Sequence, residues 1–373
     1  MESIIYGIEF QARSLVSQQD AEEIRFFIGT QMINGKNQIH LLEVDDDNNK
    51  LKTKTFSHEQ GEIWKLTSCP TDKLLASVYS SNLVMKSAVL KIPENVFLDP
   101  SVETLDFEDV EVLDTEPHGT EIKTTEFHPT NTNVLATVID SKVLIFNRAE
   151  AKSQVVAEIT SKNSAKFAGG KWNNSNQFVV MHENGVKSYD TRESNHVAWE
   201  IPNAHIQPVR DLDVNPNKAF TIATVGDDCT LKIWDIRNNK TPVFSRRDHQ
   251  HWIFSVSFNK FHDQLILTSG SDGKVLLTCA ASCSSETNVS TMSRDMKEKD
   301  DDGDDDDIEE EFQLKTRKSQ LKDGVLEKFE QHEDSVYCAE WCSADPWIFC
   351  SCSWDGRVVV SRIPKKYKYQ ILL

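Results

Sequence analysis

Four of the chain's eight cysteines fall within fifteen residues, in CAEWCSADPWIFCSC from Cys338 to Cys352, just after His332. Thiolates and an imidazole are zinc ligands, so spacing decides whether they can share one ion. Cys338 and Cys342 on one strand would stand roughly 13 Å apart at a rise of ~3.3 Å per residue. Zinc holds thiolates at about 2.3 Å, so two ligand sulfurs lie no more than about 4 Å apart. Cys350 and Cys352 share one face of the next strand, about 6.6 Å apart by the same rise. CxxxC followed by CxC matches no zinc ribbon or finger, and no metal site is expected. Cysteine also fills tightly packed cores as a small apolar residue, and that is the role expected here.

A second set of chemistry-bearing residues recurs along the chain. In three segments a histidine is followed 23 residues later by an aspartate: His205 and Asp228, His249 and Asp272, His332 and Asp355. Thr224, Thr268 and Ser351 stand four residues before those aspartates, and Trp234, Thr278 and Ser361 six residues after them. One such copy would suggest a proton relay. Several copies point instead to structure, because an enzyme needs a single constellation. A loop histidine, a strand hydroxyl and a turn carboxylate are expected to form a buried hydrogen-bond network that pins each copy's loops.

The third candidate is acidic. From Arg294 to Phe312 twelve acids face three bases, supplying −9 of a net charge of −18. Read from Glu298, this run puts Asp300, Asp302, Gly303 and Glu309 at four positions of a calcium loop. Glu stands first in that loop, however, and Asp305 takes a normally apolar place. The run is read as a solvated tail. There is no Gly-rich phosphate loop, serine elbow or paired-histidine helix motif, so no cofactor and no enzymatic activity are expected. So acidic a chain is repelled by phosphate backbones and anionic lipid. Nucleic acid is excluded as a partner on this reading, and membrane association is expected to be indirect.

The elements that must position these residues are short strands. The copies at His205 and His249 begin 44 residues apart. Each reads as alternating or β-branched runs such as RDLDV, FTIATV and LKIW, separated by Asn-Pro, Gly-Asp or Asp-Gly turns. A period of about 40–45 residues signals a propeller blade. Weaker copies follow His118, paired with Asp140 but with Ala136 in the hydroxyl position, and His58. Another ends in Tyr189 and Asp190. IIYGIEF, IRFFIGT and QIHLLEV make a degenerate first unit, for seven in all. The expected fold is therefore all-β, a single seven-bladed propeller over residues 1–373. Its first blade lies near 4–57 and its last near 335–373, with YQILL as the last outer strand, although either terminus could supply the strand that closes the ring. Insertions fall at about 92–110 and, within the sixth blade, at 280–322. The longer is almost without apolar residues and is expected to be disordered. Cysteines at irregular spacing with no secretion signal suggest reduced cytosolic thiols, and no apolar run approaches the ~18 residues of a membrane span.

This pattern resembles the WD-repeat family, whose blades carry the histidine, the hydroxyl, the turn aspartate and a closing Trp-Asp. Only the blade from His205 has all of them, ending in Trp234 and Asp235, whereas Trp354 and Asp355 occupy a turn. Propellers bind partners on loop-bearing rims. Trp64, Lys65, Arg210, Trp252 and Tyr337, at or just before first strands, are expected to ring the top opening. Further passages are similar to one branch of the family, the proteins that interact with the endosome-associated recycling (EARP) and Golgi-associated retrograde (GARP) tethering complexes. They are IYGIEFQARSL, NQIHLLEVDDDNN, AHIQPVRDLDVNPNK, HDQLILTSGSD, HEDSVYCAEWCSADPWIF and YKYQILL. The likeness is weakest from Lys86 to Asn203. It implies a non-catalytic cytosolic adaptor that binds subunits of those complexes. Such an adaptor promotes their recruitment to trans-Golgi network and recycling-endosome membranes, and supports retrograde transport and dense-core vesicle formation. A second likeness lies in IATVGDDCTLKIWDIR. It resembles the box by which WD-repeat substrate receptors dock onto cullin-RING ligase adaptors, with Asp235 and Arg237 as its Asp and Arg.

Overall fold

A computed structural model describes residues 3–33, 35–45, 50–94, 96–97, 101–148, 152–161, 165–193, 195–285 and 321–372. Its strands form seven sheets, six of four strands and one of five. The innermost strands are Ala12–Ser17, Glu62–Ser68, Ile122–Phe127, Phe167–Asn174, Val209–Val214, Ile253–Phe258 and Val336–Trp341. Each touches the next, and the last touches the first. The result is the seven-bladed β-propeller that the repeat predicts.

Burial explains the sequence pattern strand by strand. The second strand of the fifth blade, Thr221–Gly226, is buried at every residue because both its faces lie between neighbouring blades. Apolar faces are covered across blade boundaries. Trp234 of the fifth blade packs with Val179 and Met181 of the fourth, and Trp341 of the seventh with Leu265 and Leu267 of the sixth. No blade covers both of its faces alone, so stability is shared between neighbours.

The ring closes through the N-terminal segment. Ser3–Gly7 pairs along its whole length with Arg357–Arg362 and forms the outer strand of the seventh blade. The first blade therefore begins at Ala12–Ser17, not at IIYGIEF. YQILL is not a strand. Its residues Tyr369 to Leu372 lie in the helix Lys365–Leu372, since the one free edge of the last sheet is already taken. Tyr367 and Ile371, four residues apart, turn to one side of this helix and pack on the cluster around Trp341 and Trp347.

Both insertions leave the third strand of a blade and return at its fourth. The shorter is more ordered than a simple loop. Its residues Thr104–Leu105 add a parallel fifth strand to the first blade, with Thr104 opposite Thr55. Phe107 stacks on Phe56 at 4.6 Å. The longer runs between Val275–Cys279 and Gly324–Phe329 and begins with a short 3-10 turn, Ala281–Cys283. The acidic run, its calcium-loop match and its expected disorder fall mainly at 286–320, outside the described residues.

Candidate functional site at the channel mouth

Every innermost strand carries a register shift against its neighbour just after its first buried residue, and Phe167–Asn174 has a second one between Trp172 and Asn174. The residue skipped by the ladder is Arg13, Trp64, Lys123, Ala168, Arg210, Phe254 or Tyr337 in blades one to seven. A bulge turns the extra side chain out of the sheet. Seven bulges at one level make a ring around the channel opening. This ring lines a cavity of about 590 Å³.

Of the five rim residues expected from sequence, Trp64, Arg210 and Tyr337 are bulge residues. Lys65 stands one step further in, and all four line the cavity. Trp252 does not. It is exposed on the approach to the sixth blade, under the Arg210 guanidinium at 5.6 Å. Sequence reading missed Arg13, Phe254 and Trp354. Arg13 lies over Trp64 at 5.0 Å and over Tyr337 at 4.9 Å. Tyr337 stacks on Phe254 at 4.8 Å and meets Trp354 at 5.7 Å. Arg210 is fixed by two hydrogen bonds to Asp227, of 2.6 and 2.7 Å.

Below the mouth, the inner edges of the first strands have backbone N–H groups with no sheet partner, and the preceding blade supplies one. Leu66 N–H donates to Ser14 Oγ at 2.6 Å, Val256 N–H to Asp211 Oδ2 at 3.0 Å, and Ala339 N–H to Ser255 Oγ at 3.1 Å. Phe258 N–H donates likewise to Asp213 at 2.7 Å. These side chains clasp blade to blade. Lys171 sits 3.0 Å from Asp213. Desolvation acts to lower the Lys171 pKa, but Asp213, Asp211, Glu340 and Glu126 outweigh it and hold it well above the ordinary lysine value. Desolvation pushes the Glu126 and Glu340 carboxyls up.

The histidine networks differ from copy to copy. His205 Nδ1 lies 2.9 Å from Asp228 and Nε2 2.8 Å from Thr224 Oγ1, which also accepts from Trp234 Nε1–H at 3.0 Å. His249 repeats this with Asp272 at 3.0 Å and Thr268 at 2.9 Å. In the seventh blade His332 reaches Ser351 at 2.7 Å, but its Nδ1 has no partner among the described residues. Asp355 instead accepts from Arg357 N–H in its own turn. The pairing of His118 with Asp140 is also corrected. With one residue fewer between them, His118 Nδ1 turns to Glu158 at 2.9 Å, while Asp140 accepts from Thr120 N–H. Burial alone would raise the Asp228 carboxyl, but bonds from His205 and Thr230 hold it far below the usual range.

The eight cysteines are all free. Cys342, Cys350 and Cys352 pack with Ile8, Phe26 and Val358 in one apolar cluster. Burial pushes the Cys338 thiol up to about 12. On the opposite rim Asp235 and Arg237 bind each other through two hydrogen bonds of 2.9 and 2.6 Å, with Arg237 over Phe220. Asp190 and Arg192 form the same clamp one blade earlier.

Comparison with known proteins matches residues 1–278 to the family described as EIPR1 beta-propeller and residues 324–360 to the WD domain, G-beta repeat. Over 99% of its length the chain is 37% identical to EARP and GARP complex-interacting protein 1 of Rattus norvegicus, covering 98% of that protein. The corresponding Homo sapiens protein is 36% identical over the same shares of the two chains. EARP-interacting protein 1 of Caenorhabditis elegans is 32% identical over 100% of this chain and 99% of its own.

Proposed function

The chain belongs to the EIPR1 β-propeller family, and from that premise we propose that it is a non-catalytic cytosolic adaptor for the EARP and GARP tethering complexes. It binds subunits of those complexes and promotes their recruitment to trans-Golgi network and recycling-endosome membranes. Through them it serves endosomal recycling, endosome-to-Golgi retrograde transport and dense-core vesicle biogenesis. The observation that carries this reading is the end-to-end alignment with relatives named for both complexes. The channel mouth supports it, because Trp64, Arg210 and Tyr337, with Trp252 beside them, are the residue types that dominate interface energies. Lys65 adds a cation at the same opening. Affinity purification of the tagged chain from cells, followed by mass spectrometry, is expected to recover tether subunits above a propeller control. Recovery of none would contradict the proposal.

A second reading draws on the paired clamps Asp190–Arg192 and Asp235–Arg237 on adjacent blades. As a cullin-RING substrate receptor, the chain would present them to a ligase adaptor. Arg237→Ala is then expected to abolish adaptor capture and leave tether recovery intact.

A further inference from the structure

The bulge ring is not uniform. From the fifth blade through the sixth, seventh, first and second, it runs Arg210, Phe254, Tyr337, Arg13, Trp64. Each residue of this arc from Phe254 onward meets the next through a ring stack or a cation–π contact. The remaining positions are Lys123 and Ala168.

The cations of the mouth differ in what holds them. Lys123 lies 3.3 Å from Glu121, and Arg210 is clamped by Asp227. Arg13 has no carboxylate or hydrogen-bond partner among the described residues, only the two aromatic faces that flank it. It is nevertheless half-buried. Its guanidinium is partly desolvated between the two rings, yet its nitrogens stay open to the channel mouth and bond to none of the described residues. A partly desolvated cation in this setting gains from meeting an anion. A guanidinium fork takes a carboxylate through two parallel bonds, and the rings on either side offer apolar contact to whatever carries that carboxylate.

We propose that the arc Tyr337–Arg13–Trp64 is a docking groove for an acidic linear peptide of a protein partner. One Asp or Glu side chain of the peptide is taken by Arg13, while an adjoining large apolar side chain lies on Trp64 or Tyr337. Charge complementarity selects a peptide over a membrane. The cavity is also lined by Glu121 and Glu183, which repel a flat anionic surface, whereas a single inserted carboxylate reaches Arg13 between Trp64 and Tyr337. A cavity of about 590 Å³ accommodates a few side chains. The inference rests on the adaptor reading only in taking the partner to be a protein.

The test uses the purified chain and a phage library of random peptides. Selection on the wild-type protein is expected to enrich peptides rich in Asp or Glu. A synthetic copy of the best of them is expected to bind Arg13→Gln about tenfold or more weakly, Trp64→Ala similarly, and Arg237→Gln on the other rim unchanged. Should Arg13→Gln fail to fold, Arg13→Lys, which keeps the charge and loses the fork, and Trp64→Ala carry the comparison. No enrichment, enrichment without acids, or binding indifferent to Arg13 and Trp64 would overturn the proposal. So would Arg13-dependent binding to phosphatidylserine vesicles in place of peptide. These results concern peptide and groove alone, so they stay separate from recovery of tether subunits in cells.

Discussion

Asp228 and Asp355 occupy the same place in two copies of one repeat, yet only Asp228 reaches its histidine. Asp228 accepts from the Ile206 and Thr230 backbones and meets the His205 ring. Asp355 serves a turn N–H. Asp228→Asn is therefore expected to cost about 2 kcal/mol, and Asp355→Asn less than about 0.5 kcal/mol. Denaturant unfolding measures both, and equal losses would contradict the geometry. Spacing alone makes these positions equivalent, because the direction an Asp side chain turns is set by its local loop. Buried histidines give a separate handle. Burial lowers His58, His332 and, in the first blade, His40 to about 4. Their ordinary value is about 6.5, so on acidification the unfolded chain takes up these protons first. Stability is then complete above about pH 6.5 and lost progressively towards pH 4, by up to about 3 kcal/mol for each histidine. The melting temperature should fall between pH 7 and pH 4.5, above the range in which Asp228 titrates. A flat profile over that interval would count against this account.

At the scale of elements, IIYG and YQILL look alike in sequence, as short apolar runs near a terminus. Register separates them. Ser3–Gly7 completes five paired positions on the last blade, and the C-terminal run follows Pro364 into a helix with Tyr367 and Ile371 on one face. Proline at a helix start and a spacing of four were the legible signs of that helix. Strand Ala12–Ser17 was hidden because its blade lacks the leading histidine. Deleting residues 2–7 opens the ring and is expected to cost about 4 kcal/mol or more, with a broadened unfolding transition. Deleting 365–373 removes mainly the buried Tyr367 and should cost about 2 kcal/mol. Comparable melting temperatures for the two truncations would show that the N-terminal strand does not close the propeller.

For the whole molecule, the period of the repeat made seven blades legible, since each must bury its faces on the next. The channel mouth was legible only in part. Trp64, Arg210 and Tyr337 follow recognisable blade starts, whereas Arg13 depends on a first blade whose strand was displaced by one. The bulges themselves are visible only as register between strands, and the clasps made by Asp211 and Asp213 only as contacts between blades. We propose that this mouth engages a tethering complex. When the purified chain is mixed with purified EARP complex, size-exclusion chromatography is expected to show co-elution that is lost with Trp64→Ala and Tyr337→Ala together and kept with Arg237→Ala. Separate elution of the wild-type chain, or co-elution untouched by the channel-mouth pair, would contradict it.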